Sequence, residues 1–386
     1  MTDSVPVFHR PEIARRFAQQ VLGRGAGTAA ASGVFLAAPR RTGKSTFLRE
    51  DLRPALENIG ALVVYADLWA NPTADPGAVI VSAIRRVLAR HEGVIMRLAK
   101  ASGMEGIKVG NLSFDLDRVG LGKDVSLTDA LVALSDETRL MIVLVIDEAQ
   151  HALTSEAGIA ALFALKAARD ELNSSAHHGL RVVCTGSNRD KLAMLRNSKD
   201  QAFFGAPMVN FPLLAKDYVE WFCDETDMSF DLDPEQVWPL FIEAGHRPEL
   251  LGSAADVLRF DFEVDAETGD RRFAEEVRRL AQEMNQVLLQ VVHSLTPIQS
   301  AVLRVMAASE GKYAPFEAAT MTRYRHAMCL AGMAQSDAKA DVPGVQQALL
   351  ALQEKKLVWR AARGVYAVED QTVIELLRAE GLLDEL

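Results

Sequence analysis

Two stretches of this chain carry residue types that can do chemistry together. The first is Gly33 to Thr46, GVFLAAPRRTGKST: a short apolar run, a polar and doubly basic loop, then Gly43-Lys44-Ser45-Thr46 opening a helix. Backbone N–H groups from Arg41 to Thr46 can converge at a helix N-terminus, where unpaired donors and the helix dipole favour an anion. Gly43 lets the backbone approach such a ligand closely. Lys44 adds a mobile point charge, and the Ser45 hydroxyl is a hard oxygen of the kind Mg²⁺ prefers. The second stretch is Leu140 to Ile146, LMIVLVI, which ends in Asp147-Glu148. It is fully apolar, too short to cross a membrane and right for a central strand of a parallel sheet. A buried strand that delivers two adjacent carboxylates can serve a divalent cation and a reacting water. An acidic pair also favours a helix N-terminus. Its pairing with Gly43-Lys44-Ser45 is far more specific than either stretch alone.

With a strand before it and a helix after it, the first stretch resembles the phosphate-binding loop of the P-loop NTPases, G-x-x-x-x-G-K-[ST]. Asp147-Glu148 resembles a Walker B motif. One position departs from the pattern: Ala38 stands where the motif has its first glycine, which the loop tolerates if no positive φ is needed there. The resemblance implies a cradle for the phosphates of ATP built from Pro39, Arg40, Arg41, Thr42, Gly43, Lys44, Ser45 and Thr46. It implies Mg²⁺ held by Ser45 and Asp147, with Lys44 neutralising the γ-phosphate and Glu148 polarising the attacking water.

The elements that must position these groups alternate. Strands are expected at 33–38, 61–66, 140–146, 180–185 and 208–212, with helices between, which implies a parallel sheet with right-handed crossovers. An extra strand intervenes between the strand leading to Lys44 and the one ending in Asp147. The alternating Ile107-to-Leu116 stretch reads as a hairpin insertion at about 104–123. Together these features resemble an α/β P-loop NTPase sheet of the additional-strand (AAA+) class, followed by a helical lid and a winged helix-turn-helix domain. The corresponding divisions are 1–214, 215–293 and 294–386. In AAA+ ATPases a box like Phe8, Arg10 and Ile13 lines the adenine pocket. A polar residue after the 180–185 strand, Asn188 or Ser187, matches sensor 1. Arg247, in Gly245-His-Arg-Pro, matches sensor 2. Relatives often carry an arginine where Ala206 stands, so the resemblance implies an arginine finger from a neighbouring subunit or partner. Arg189 and Arg196 lie in the right part of the fold to serve as one.

Towards the C-terminus, Thr296-Pro297 opens a helix, and helices are followed by a hairpin whose turn is Ala361-Ala-Arg-Gly. In a winged helix this arrangement would put Val345 to Lys355 into the major groove of double-stranded DNA and the wing near its backbone. Lys355, Lys356, Arg360 and Arg363 are the candidate phosphate contacts. A charged solvated face is the alternative, because positive and negative residues nearly cancel over 294–386.

The chain of 386 residues is 49% hydrophobic and 24% charged, with a net charge of −10. That excludes a global attraction to nucleic acid or an anionic membrane. Cys184, Cys223 and Cys329 form no metal or redox motif, and no apolar run spans a membrane. A cytoplasmic setting is expected. The whole chain resembles an AAA+/STAND-type ATPase of the prokaryotic "archaeal ATPase" family and, more remotely, the origin-recognition initiators. The resemblance implies Mg-ATP binding and slow hydrolysis coupled to lid and winged-helix movement. Three roles stay open: a DNA-associated process, a STAND-like signalling or defence switch acting through protein partners, and a remodeller.

Overall fold

A computed structural model of the chain describes residues 6–23, 29–91, 93–94, 126–174, 177–197, 200–309, 312–362 and 364–386. The hairpin insertion expected near 104–123 and the candidate Arg363 lie outside the described residues. Five parallel strands form the central sheet: β1 (Val34–Ala37), β2 (Ala61–Asp67), β3 (Met141–Asp147), β4 (Leu180–Gly186) and β5 (Met208–Asn210). Their order is β2-β3-β4-β1-β5, so β4 lies between the strand that leads to Lys44 and the strand that ends in Asp147. The fold is the expected α/β class. β3 and β4 are buried at every position, which explains why β3 reads as an unbroken apolar run, while β4 carries Arg181 and Thr185 within its buried length.

Helices cover both faces. Pro11–Leu22 and the helix after Lys44 pack on one side, burying Ala18, Leu48, Leu52 and Val143. Pro76–Leu88, Leu127–Thr138 and Glu156–Leu172 pack on the other, burying Ile84, Leu131, Leu165 and Ile146. The helix after Lys44 is not uniform. It is α-helical over Lys44–Thr46, widens to a π-helical turn over Phe47–Leu52 and returns to α over Arg53–Asn58. Pro54 has no N–H to offer the carbonyl of Glu50, so regular i→i−4 bonding fails at this point. Register then aligns the strand ends: Asp67 pairs with Asp147 and Ala37 with Gly186. The loops that follow four of the strands therefore meet at one edge, where open α/β sheets bind their ligands.

Four further helices, Lys216–Glu225, Pro234–Glu243, Pro248–Arg259 and Gly269–His293, share a second core built on Tyr218, Phe241, Leu251 and Phe273. Beyond them Pro297–Ala307, Ala318–Leu330 and Val342–Glu354 precede an antiparallel hairpin, β6 (Val358–Ala362) and β7 (Val365–Val368), and a last helix, Gln371–Ala379. This part buries Val302, Tyr324, Leu349 and Leu377 in its own core. Trp359 and Ala367 of the hairpin pack into the sheet's core, beside Ala149 and Leu192, rather than standing clear of it. Among the described residues, no helix is long and apolar enough to cross a membrane.

Gly158 sets the spacing between the turn after β3 and the Glu156–Leu172 helix. Its N–H donates to the Ser155 hydroxyl at 2.9 Å, and a Cβ there would meet the Ala152 carbonyl oxygen at 2.3 Å. In an open helix, replacing Gly by Ala gains about 1 kcal/mol. Here the backbone clash outweighs that gain, and Gly158→Ala is expected to destabilise the protein by about 1–3 kcal/mol. A lowered urea midpoint with an unchanged slope is the expected reading; an unchanged or raised midpoint would refute it.

Candidate functional site

The loop after β1 closes on itself and on β4. The Ala38 N–H donates to the Gly186 carbonyl at 3.1 Å, and the Thr42 hydroxyl donates to the Pro39 carbonyl at 2.8 Å. Positive φ falls on Arg41 (62°) and Gly43 (79°), not on Ala38, so alanine costs the loop nothing at that position. A Cβ on Gly43 would meet nothing within 4 Å. The need for glycine there is thus conformational, and the space above it is open. The first N–H groups of the helix that starts at Lys44 have no intrahelical acceptor, and Gly43 to Thr46 line that space.

Below the loop lies a buried ionic cluster. The Lys44 ammonium contacts the Asp147 carboxylate and donates to Glu148 Oε1 at 2.9 Å. Asp147 also accepts from the Ser45 hydroxyl at 2.9 Å, the Tyr65 phenol at 3.0 Å and the Thr185 hydroxyl. Glu148 accepts from the Gln150 amide at 2.6 Å, the Ser187 hydroxyl at 2.9 Å and the Ser187 N–H at 3.3 Å. Glu148 sits in the left-handed region at φ 52°, where a side-chain-bearing residue is strained. This kink turns the chain from β3 into the Ala149–Thr154 turn and aims both carboxylates at Lys44.

Burial opposes the charge on each group, yet the pairing outweighs it. Lys44, between Asp147 and Glu148, is raised above the ordinary lysine value. Asp147 is held below the usual carboxylate range by Lys44 and by the Thr185 and Ser45 hydroxyls. Glu148 is lowered in turn by Lys44 and Gln150. Burial, with the Asp147 charge second, pushes the Tyr65 phenol up, so it stays a hydrogen-bond donor.

A cavity of about 410 Å³ opens over this cluster, walled by Pro39, Arg40, Arg41, Gly43, Lys44, Ser45, Thr46, Asp67, Trp69, Asp147, Glu148 and Ser187. The Ser45 hydroxyl and the Asp147 carboxylate, side by side, are a donor set that fits Mg²⁺. Among the described residues, no group of three or more His, Cys, Asp or Glu could hold a metal alone. Mg²⁺ does not require such a cage, since it takes one or two protein oxygens, waters and substrate phosphates.

Other expected residues lie elsewhere. Asn188 does not face the cluster. Its Oδ1 caps the Arg189–Ala193 helix by accepting from the Lys191 N–H at 3.0 Å, and its amide donates to the Val368 carbonyl at 2.9 Å. Of the two residues left open by the sequence, Ser187 is the one at Glu148. Arg247 is not a wall of the cavity; its guanidinium donates to the Thr372 hydroxyl at 3.1 Å in the last helix. Phe8 packs edge-on to Tyr218 in the second core, and Arg10 donates to the Pro212 and Leu213 carbonyls at 2.8 and 3.1 Å. Both stitch the N-terminus to the junction between sheet and helices. Arg189 contacts the Asn210 side chain and Arg196 the Ala206 carbonyl. Lys355, Lys356 and Arg360 are exposed. Sequence reasoning missed Tyr65, Thr185 and Gln150. The available signal was weak: polar side chains near the ends of apolar strands, and an amide two residues after Glu148.

Removing Lys44 would leave two buried carboxylates without a counter-charge. Lys44→Ala is therefore expected to cost about 3–5 kcal/mol of stability even without any ligand. The carboxylates are depressed, so their contribution is full above the ordinary Asp/Glu range and is lost as pH falls through the lower native values. Lys44 is raised, so its contribution is full below the ordinary lysine range and is lost only at higher pH. Urea unfolding across pH should show a wild-type loss on the acid side that is smaller in Lys44→Ala. Equal stability of the two proteins at neutral pH would exclude the cluster as a structural element.

No protein-family model matches the chain. No curated protein matches it either. Among solved structures, it is similar to the Aeropyrum pernix ORC1 protein in complex with DNA, at 19% identity and TM-score 0.42, over 100% of this chain and 97% of that one. It is similar to the Aeropyrum pernix ORC2 protein in its ADP form, at 15% identity and TM-score 0.47, over 98% and 97%. A third similarity is to AMPPCP-bound DnaA from Aquifex aeolicus, at 11% identity and TM-score 0.39, over 98% and 96%.

Proposed function

We propose that the chain is an ATPase of the AAA+/STAND kind, of the "archaeal ATPase" family, that binds Mg·ATP over the Ala38–Thr46 loop and hydrolyses it slowly. The observation that carries this reading is the convergence of Lys44, Ser45, Asp147 and Glu148 beneath an open cavity walled by the loop and the start of the helix at Lys44. The loop N–H groups and Lys44 hold the phosphates. Ser45 and Asp147 hold Mg²⁺, which supplies neutralising charge to the phosphate oxygens when bound. Lys44 exchanges carboxylate partners for phosphate oxygens, which frees Glu148 Oε1 to orient a water. Ser187 and Gln150 keep the other oxygen fixed. Phe8, Arg10 and Arg247, none of them a wall of the cavity, reach the nucleotide after the lid moves.

Turnover is slow because Ala206 stands where relatives often carry an arginine, while Arg189 and Arg196 contact Asn210 and the Ala206 carbonyl within the chain. A second copy or a protein partner supplies the missing arginine. Lys355, Lys356 and Arg360 then serve double-stranded DNA in a DNA-associated process. A second reading, a nucleotide-dependent switch acting on protein partners, has its own support. The Val342–Glu354 helix exposes Gln346, Gln347, Leu350 and Glu354 and carries no Lys or Arg, so a phosphate backbone finds no cation along it.

The test is ATP hydrolysis and ATP binding by wild type, Glu148→Gln and Ser187→Ala, with and without duplex DNA at low salt. Glu148→Gln should bind ATP and turn it over about 10²–10⁴ times more slowly, with Ser187→Ala between it and wild type. Stimulation by DNA selects the first reading; ATP-dependent assembly with no DNA affinity selects the second. Undiminished turnover by Glu148→Gln would remove Glu148 from the chemistry.

A further inference from the structure

Arg304 is a buried cation without a counter-charge. It lies on the Pro297–Ala307 helix and is 5% exposed. Its Nε donates to the Leu382 carbonyl at 2.6 Å and its Nη1 to the Ala327 carbonyl at 3.4 Å. Among the described residues it forms no ion pair, and its Nη2 has no acceptor. Burial pulls this guanidinium below the ordinary arginine value, and no neighbouring acid raises it. Lys44, Arg169 and Lys191 are also buried, and each of them meets a carboxylate. A charge withdrawn from water is costly unless a partner of opposite sign replaces the water. Arg304 is also a wall of a second cavity, of about 910 Å³, set between helix ends in the C-terminal part. Ser300 stands one turn before it on the same helix face and lines the same cavity, and its hydroxyl has no partner among the described residues. Val292, Leu295, Met328, Met333 and Leu382 make the rest of the inner wall apolar. His293, Asp337, Asp384 and Glu385 are exposed at the rim. The volume suits a small organic molecule, and two methionines let the wall adapt to its shape.

We infer that this cavity binds a monocarboxylic acid with an apolar body, its carboxylate seated on Arg304 Nη2 and the Ser300 hydroxyl. The lone guanidinium asks for an anion, and a carboxylate matches its planar fork. The acidic rim repels polyanions, so nucleic acid and phosphate chains are poor occupants. A cation is welcome at the rim but meets a buried charge of its own sign inside. A neutral apolar molecule gains the wall and leaves the guanidinium unpaired. One negative charge on an apolar body satisfies floor, wall and rim together. The cavity also sits at a joint. Val292, in its wall, belongs to the C-terminal core, while Phe273 and Val277 of the same Gly269–His293 helix belong to the second core. A bound acid therefore packs where that helix enters the C-terminal part. The cavity shares no wall residue with the one over Lys44, so its occupancy is measured without any nucleotide.

The experiment titrates octanoate into the full chain by calorimetry, with octylamine, octanol and the dicarboxylate suberate as controls. The same titration is followed by methionine-methyl NMR. Octanoate should bind saturably and move the Met328 and Met333 signals, while Met194, packed on the sheet, stays unmoved. The three controls should bind at least about tenfold more weakly, as expected for the loss of a charge-assisted contact. Arg304→Gln should weaken octanoate about 10–100-fold for the same reason. Ala331→Phe, at an exposed position of the wall, fills the cavity and should weaken octanoate by about tenfold or more. If Arg304→Gln does not fold, the methyl signals of wild type and the Ala331→Phe titration still decide the matter. No saturable binding of octanoate to wild type overturns the site. Methyl shifts confined to other methionines overturn its location. Equal affinity for octylamine or octanol, or full affinity in a folded Arg304→Gln, overturns the pairing with Arg304.

Discussion

Two carboxylates cannot be buried side by side at the end of a strand unless a cation lies between them. In this protein that cation is Lys44, and the sheet edge is built around the demand. Asp147 ends an entirely buried strand and Glu148 follows it, a place where an isolated carboxylate would protonate or pull the strand out of register. The ammonium offsets their desolvation, and hydroxyls from Ser45, Tyr65 and Thr185 satisfy what the ammonium cannot reach. Such an arrangement is stable but exchangeable. On the proposed reading a phosphate chain does not enter a vacant slot; it takes over a cation that already has partners. Binding and the release of Glu148 are then one event.

The geometry behind this cluster is inexpensive in sequence terms but strict in space. Three neighbouring strands deliver these groups: parallel register brings Thr185 level with Asp147, one residue past the Ile146–Cys184 pair, while Tyr65 sits level with Val145 and reaches up with its long side chain. The left-handed Glu148 then bends the chain sharply enough that consecutive residues both face Lys44. A strained residue persists at such a point only when its surroundings over-determine it. Glu148 accepts from three donors besides Lys44, which supplies that constraint.

Distant parts of the chain also end at the loop. Arg41 lies 3.6 Å from Glu249 at the start of the Pro248–Arg259 helix, and Arg40 reaches Glu369 and Asp370. The two arginines that made the loop look like an anion cradle are thus also the handles by which the helical and C-terminal parts hold it. These exposed pairs are individually weak. Their meaning lies in position: a ligand at the loop alters both contacts at once.

The sequence by itself determined the parallel α/β sheet, within one or two residues at each strand end, because the buried β1 and β3 are continuous apolar runs and β2 and the middle of β4 are short ones between helical stretches. It determined the pairing of Gly43-Lys44-Ser45 with Asp147-Glu148, since few structural needs place those types after buried strands. It could not choose between Ser187 and Asn188. Both follow the same strand, and only the turn geometry sends one hydroxyl to Glu148 and one amide to Val368. Nor could it show that Trp359, Glu369 and Arg247 join the C-terminal hairpin and last helix to the rest. Those contacts link residues up to 329 positions apart. No local pattern records them, because a tryptophan in a hairpin or an acid after a strand satisfies its local rules equally well against any surface. Which surface it meets is decided when the cores pack together.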